Sequence, residues 1–190
     1  LQYQEGGSFF ICTGSLVNDK VQDTWVPYLL TANHCISTQS AASSLEAFFD
    51  YFASSCGGAA PTLGSRPRSS GATLLQTSAA NDFSFVRLNT LPAGRALLGW
   101  TTTEPGGGQK LHRISHPSGL QAHYSTTTKI ATPGDTCGLG STNYHHTNLQ
   151  NGSITGGSSG AALTNANGQI VGQLYGFCGP NVEDACDTRN

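Results

Sequence analysis

Methionine is absent from the 190 residues, charged side chains make up only 11% of them, and no apolar run is longer than Trp25-Val26-Pro27-Tyr28-Leu29-Leu30. Each shortage excludes something. A charged fraction so far below the usual quarter rules out a coiled coil or a charge-rich disordered tail. The nine Lys and Arg are scattered singly in a chain of net charge −2, so no basic stripe is available to neutralise phosphates and nucleic acid is not an expected partner. The longest apolar run contains a proline and falls far short of the ~20 residues that span a bilayer. A membrane is not expected either. Helical periodicity is missing as well: no stretch of about 12 residues repeats apolar positions at three and four.

What the chain does have is 24 Gly, about forty Ser and Thr, and six Cys. None of the Cys spacings forms the C-x-x-C pair of a zinc site, and Cys-bearing chains of this composition belong to oxidising compartments. A secreted, extracellular protein is expected. Leu1 opens on polar sequence without an initiator Met or a basic-then-apolar leader, which reads as a mature or trimmed chain. Short apolar or alternating runs recur at Phe9–Cys12, Trp25–Thr31, Leu45–Phe52, Ala72–Thr77, Phe83–Leu88, Lys110–Ser115, Ala122–Ala131, Gly160–Thr164 and Gln169–Tyr175. Clusters of Gly, Ser, Asn and Pro separate them, and Asn167-Gly168 is the best hairpin signal. Many short strands between turns predict an all-β chain built as an antiparallel barrel or sandwich. Glu104-Pro105-Gly106-Gly107-Gly108 can hold neither periodicity. It divides the chain into β-rich halves, 1–103 and 104–190, each the size of one small barrel.

Three segments carry the chemistry: Leu30-Thr31-Ala32-Asn33-His34-Cys35, Asn81-Asp82-Phe83-Ser84-Phe85-Val86-Arg87-Leu88, and Gly156-Gly157-Ser158-Ser159-Gly160-Ala161. A serine hydroxyl is a poor nucleophile unless a histidine takes its proton and a buried carboxylate fixes the imidazole tautomer. The segments supply one of each. Flanking glycines allow a tight turn whose backbone N–H groups converge on a developing oxyanion. Among the carboxylates before Ser159, the alternatives Glu46, Asp50, Glu104 and Asp135 lack the alternating apolar run that follows Asp82 and would bury it. Gly156-Gly157-Ser158-Ser159-Gly160 also fits the G-x-S-x-G elbow of α/β-hydrolases, with Ser158 as nucleophile. That fold needs its histidine after the serine, and the last one here is His146. His112 and His116 have a spacing that would ligate metal on a helix, but their stretch reads as a strand with no acidic residue nearby, so no metal and no other cofactor is expected.

Thr31-Ala32-Asn33-His34-Cys35, Asp82-Phe83-Ser84-Phe85-Val86 and Gly157-Ser158-Ser159-Gly160-Ala161 resemble the T-A-A-H-C, D-I-A-L-L and G-D-S-G-G motifs of the trypsin-like serine proteases, and Cys12-Thr13-Gly14-Ser15-Leu16 is similar to their C-G-G-S-L. Gly-Ser-Ser-Gly at the nucleophile, Gly172-Gln173-Leu174 after it and the His116-Pro117 step most resemble the bacterial lysyl endopeptidases. The resemblance runs from about residue 10 to about residue 178. It implies two antiparallel β-barrels with the active site in the cleft between them, the second barrel short at its C-terminal end because only residues 160–190 follow the nucleophile.

The resemblance also implies roles: Ser159 as nucleophile, His34 as general base and then acid, Asp82 as the group that orients His34, and the N–H groups of Gly157 and Ser159 as the oxyanion hole. Activity should rise with pH as His34 becomes neutral. A Cys12–Cys35 disulfide is implied, with Cys137–Cys186 as a second bridge. Substrate would be bound by Ser153 and Gly156 on one wall and Tyr175, Gly176 and Phe177 on the other. Glu183, Asp184 and Asp187 are the acids available to favour a basic residue before the scissile bond, while Phe177 could narrow the entrance. Two departures stand out. Ser158 occupies the place of the Asp that pairs with a new N-terminus in animal members, so a pre-formed oxyanion loop is expected, and Tyr175 stands where most members have a Ser facing the Asp. Expected partners are polypeptide substrates and a propeptide or protein inhibitor, with a monomeric chain. The competing class is an inactive protease-like fold that serves as a binding module.

Overall fold

The computed structural model describes residues 1–21, 23–132 and 143–177. Its strands are short and antiparallel. In the first half, β1 (Gln2–Glu5), β2 (Ser8–Ile11), β5 (Glu46–Phe48) and β6 (Arg68–Ser70) form one sheet in the order β2-β1-β5-β6. The partner sheet, β3-β4-β8-β7, contains β3 (Ser15–Val17), β4 (Tyr28–Thr31), β7 (Ala72–Ser78) and β8 (Phe83–Leu88). Strand β2 runs through Cys12-Thr13-Gly14 into β3, and β6 through Gly71 into β7, so the two sheets share a corner on each side. Alternation decides which side chains go inside. Val86 and Leu88 of β8 and Leu29 of β4 are buried with Leu16, Ile36 and Leu45, each worth about 1.5–3 kcal/mol.

The second half packs differently. Its sheet runs β11-β10-β9-β12-β13, built from β9 (Lys110–Ser115), β10 (His123–Lys129), β11 (Thr147–Asn151), β12 (Ala162–Thr164) and β13 (Ile170–Gln173). The Asn167-Gly168 turn joins β12 and β13 as a hairpin. Ahead of β11, Tyr144 packs on Tyr175, ring centroids 5.4 Å apart, and His145 lies against Gly172, so the two outer strands of this sheet curl toward each other. The buried face sets the polar Arg113, Ser115, Ser125 and Thr127 beside Leu111, Leu149 and Leu163. Arg113 and Ser125 are cross-strand neighbours, and Arg113 Nε and Ser125 Oγ have no hydrogen-bond partner among the described residues. Burial pulls the Arg113 guanidinium down to about 10.

Between the halves, Leu98 bridges Val17 and Trp100 bridges Ile170, so one extended segment pairs with β3 and then with β13. Leu98 N donates to Leu16 O at 3.0 Å and Ile170 N to Gly99 O at 2.9 Å.

Several strand limits depart from the sequence reading for local reasons. The run from Trp25 becomes a strand only at Tyr28, because Pro27 has no N–H to donate and Tyr28 N turns back to Val26 O at 2.7 Å. The run from Leu45 stops at Phe48: Asp50 takes a left-handed φ of 57° and its carboxylate meets Arg95 at 2.8 Å. Strands β1, β3, β6 and β11 were not anticipated. Of these, β1, β6 and β11 are mostly polar and β3 is only three residues long, so none shows a legible alternation, and pairing with neighbours makes them strands. One helical turn, α1 (Gln39–Ser43), is capped by the Thr38 hydroxyl, which accepts from Ala41 N at 3.1 Å, and it buries Ala41 and Ala42.

The Cys12–Cys35 disulfide is present and buried, closing a sequence separation of 23. Converting both residues to Ala should cost about 3 kcal/mol, measurable as a lower unfolding midpoint in urea; an unchanged midpoint would mean that the bridge constrains nothing. Cys56 is exposed. The Cys137–Cys186 pairing and Cys178 lie outside the described residues, as do Glu183, Asp184 and Asp187. No helix among the described residues is long and apolar enough to cross a membrane.

Candidate active site

The pairing of β4 with β8 aligns Thr31 with Ser84, which brings the turn after β4 beside the residue that precedes β8. Those positions are His34 and Asp82. Asp82 is only 2% exposed, as its place before an alternating strand predicted. Its backbone is left-handed, φ 47°, a conformation that Asp tolerates better than most residues. Both carboxylate oxygens are used: Oδ1 accepts the His34 backbone N–H and Oδ2 faces His34 Nδ1, each at 2.9 Å. Two further donors, Asn33 N at 3.1 Å and the Gln173 side-chain amide, reach the Asp82 carbonyl. Because a carboxylate only accepts, Nδ1 carries the ring proton and Nε2 keeps a free lone pair. The His34 side chain is 43% exposed, so that lone pair is within reach of a substrate.

An aromatic layer closes one side. Tyr175 stands edge-on to His34 with ring centroids 5.7 Å apart. Behind it, Tyr144 donates its hydroxyl to Ala80 O at 3.2 Å. Burial, with the Asp82 charge and Tyr175 adding to it, pushes the Tyr144 hydroxyl up from the ordinary tyrosine value and keeps it a neutral donor.

Ser158 and Ser159 lie in contrasting surroundings. Ser158 is fully buried, and its Oγ accepts from Ser115 Oγ at 3.2 Å. No substrate could reach it there, which removes the elbow alternative. Ser159 is half-buried. Its carbonyl accepts Thr13 N at 2.8 Å, and Gly160 N donates to Leu174 O at 2.8 Å. Gly160, at φ 82°, approaches the strand that leads to His34: a side chain there would fall on the Thr31 hydroxyl and the Thr13 carbonyl and within 2.8 Å of Ala32 N. That close approach sets Ser159 beside the histidine turn. Among the described residues no hydrogen bond joins the Ser159 hydroxyl to His34, whose ring bonds through Nδ1 alone. The N–H groups of Gly157 and Ser159 are likewise without partners there, while Ser158 N donates to Thr155 O. Gly160→Ala should therefore destabilise the fold by about 3 kcal/mol or more; a thermal midpoint equal to wild type would show that the approach is looser than described.

The model of the lysyl endopeptidase C-terminal domain matches residues 1–188. The chain belongs to the lysyl endopeptidase family. It is 34% identical over 194 residues to lysyl endopeptidase of Pseudomonas aeruginosa, covering 92% of this chain and 39% of that protein. To the secreted RxLR effector protein 73 of Plasmopara viticola it is 38% identical over 120 residues, covering 60% of this chain and 27% of the other. The chain thus spans well under half the length of either relative. In fold it is similar to a serine endoprotease from Yersinia pestis, TM-score 0.59 at 18% identity, covering 93% of this chain and 53% of that one. It is also similar to the Rv3671c protease from M. tuberculosis in its active form, TM-score 0.53 at 16% identity, covering 94% and 66%.

Two other histidines of this lysyl endopeptidase family member have partners of their own. His112 bonds Tyr124 through Nδ1, and His116 bonds Leu120 O at 2.9 Å. Four residues apart on an extended chain they are about 13 Å apart, too far to share a metal ion. Burial lowers the His116 pKa, with the Leu120 bond opposing it. Of the expected substrate-binding residues, Ser153 is half-buried and Gly156, Tyr175, Gly176 and Phe177 are exposed. Sequence reasoning missed Thr13, Ser118, Tyr144 and Gln173. Thr13 and Gln173 lie within the Cys12–Leu16 and Gly172–Leu174 motifs, but nothing in either pattern marks the bond of Thr13 to Gly157 or of Gln173 to Asp82.

Proposed function

We propose that the chain is a serine endopeptidase. Ser159 attacks the scissile carbonyl while its hydroxyl proton moves to His34 Nε2. The resulting oxyanion is met by the N–H groups of Gly157 and Ser159. Collapse of this intermediate breaks the C–N bond as His34 returns the proton to the leaving amine, giving an acyl-enzyme. Water, deprotonated by His34, then releases the acid and restores the Ser159 hydroxyl. Asp82 holds the imidazole tautomer throughout. Substrate would lie between Ser153 and Gly156 on one side and Tyr175 to Phe177 on the other. The preference proposed is for a basic residue before the scissile bond, which rests on Glu183, Asp184 and Asp187. The working division is 1–103, carrying His34 and Asp82, and 104–190, carrying Ser159, in an extracellular monomer.

The observation that supports this reading best is the buried Asp82 carboxylate, doubly bonded to the His34 turn, beside a half-exposed serine. A fluorophosphonate followed by peptide mapping tests it. Covalent mass on Ser159 is expected, and a chain that stays unlabelled while folded would overturn it. The lack of a His34–Ser159 hydrogen bond favours a second reading, a binding module without catalysis, and the same experiment separates the two. Values of kcat/KM for peptides with Lys, Arg, Phe or Glu before the scissile bond test the preference. Equal rates for Lys and Phe would exclude an acid from the pocket.

A further inference from the structure

Two peptide groups decide whether an oxyanion hole exists here, and what holds them is a feature of this chain. In a planar peptide the carbonyl and the following N–H point in opposite directions, so fixing one aims the other. The Gly156 carbonyl accepts Ser118 N at 2.6 Å, which turns the Gly157 N–H away from Ser118. The Ser158 carbonyl accepts Ala161 N at 3.1 Å, which does the same for the Ser159 N–H. Neither of these two N–H groups has a partner among the described residues. A glycine–glycine peptide has little of its own to prevent a flip, and a flipped 156–157 peptide would present a carbonyl where the oxyanion forms.

The neighbouring elements resist that flip. The buried Thr13 hydroxyl donates to Gly157 O at 2.8 Å, which anchors the next peptide, Gly157–Ser158, and the same hydroxyl accepts His116 N at 3.1 Å, which ties that anchor to the turn. His116 opens the turn that contains Ser118, and Ser118 itself has φ 53°, a left-handed conformation that disfavours residues with a Cβ. That conformation belongs to the turn whose N–H reaches Gly156, and Ser118 Oγ adds a contact to Thr155 Oγ1 at 3.2 Å. Gly157, at φ 94°, lies so close to the turn that a side chain would come within 2.8 Å of His116 O.

We infer that Thr13 and the His116–Gly119 turn are the positioning device that holds the Gly157 N–H in the cleft, in place of an ion pair at the residue before the nucleophile. This rests on the endopeptidase reading. Where a carboxylate could pair with a chain terminus, this chain has Ser158, whose buried hydroxyl is met by Ser115 and Thr155 N. Thr13 touches no substrate and acts only through the Gly157–Ser158 peptide that it anchors and through the turn, whose Ser118 N holds the Gly156 carbonyl.

Thr13→Val keeps the shape and removes the hydroxyl, and Thr13→Ser restores it. The expected result is a kcat about 100-fold lower in the valine variant, an equal loss in the rate of fluorophosphonate reaction, a KM within about twofold, and recovery in the serine variant. Unchanged kinetics for Thr13→Val, a loss confined to KM, or a serine variant as slow as the valine one would each overturn the inference. Should the valine variant not fold, a crystal structure of the wild-type protein decides. A Gly156 carbonyl on Ser118 N supports the device, and a carbonyl turned into the cleft overturns it. If wild type is not labelled at Ser159, the endopeptidase reading is what fails, and the same crystal structure still tests the peptide orientation.

Discussion

On the proposed endopeptidase mechanism, peptide hydrolysis should fall about a million-fold in Ser159→Ala, while Ser158→Ala should lose at most about tenfold. The asymmetry follows from where the hydroxyls lie. Removing the Ser159 hydroxyl leaves no nucleophile, and His34, with its lone pair on Nε2, has no proton to take. Ser158 contributes one buried contact with Ser115 and one long one from Thr155 N, and a hydrogen bond of that kind is worth about 1 kcal/mol. Initial rates on a single peptide substrate, with fluorophosphonate titration to count competent molecules, make the comparison. A Ser159→Ala protein with wild-type turnover and an inactive Ser158→Ala would reverse the assignment.

Asp82→Asn is expected to lower kcat by about 10,000-fold with little change in KM. The carboxylate accepts from two donors of His34, the backbone N–H and Nδ1–H. An asparagine has one oxygen and one NH2 group, so whichever way it turns a donor meets a donor. Relief comes from moving the ring proton to Nε2, which points it at Ser159 and leaves no base. The backbone need not change, because Asn adopts the left-handed φ of position 82 as readily as Asp. A loss of about 1–3 kcal/mol in stability should accompany the loss of rate. Steady-state kinetics and urea unfolding of the same preparation would test both, and a variant that keeps its kcat would remove Asp82 from the mechanism.

The legible parts of this molecule were those in which side-chain pattern and local structure agree. The alternation from Phe83 to Leu88 marked both a strand and the burial of the residue before it, and Asn167-Gly168 marked its hairpin. The histidine and serine segments were legible because hydroxyl chemistry needs those residue types together. What stayed hidden depends on contacts between residues distant in sequence. Thr13 lies 144 positions from Gly157, and a threonine next to a cysteine has no local feature that reveals such a partner. The polar strands Gln2–Glu5 and Thr147–Asn151 were hidden for the same reason, since a neighbouring strand rather than their own composition fixes them. Arg113 reads as an ordinary strand charge until folding places it on the buried face of β9.

The extended segment that bridges Val17 through Leu98 and Ile170 through Trp100 makes the chain divisible without being separable. A cut among Gly106, Gly107 and Gly108 would fall after that segment, so the first fragment would carry away Trp100 and with it a ready-made strand for the second. His34 and Asp82 would travel on one fragment and Ser159 on the other, neither able to hydrolyse anything alone. Mixed in solution, the two pieces have a docking edge in Ile170, a tether in the bond from Thr13 N to Ser159 O, and a reaction that reports on reunion. On the endopeptidase mechanism proposed above, the architecture therefore lends itself to a split enzyme whose turnover counts the complexes formed.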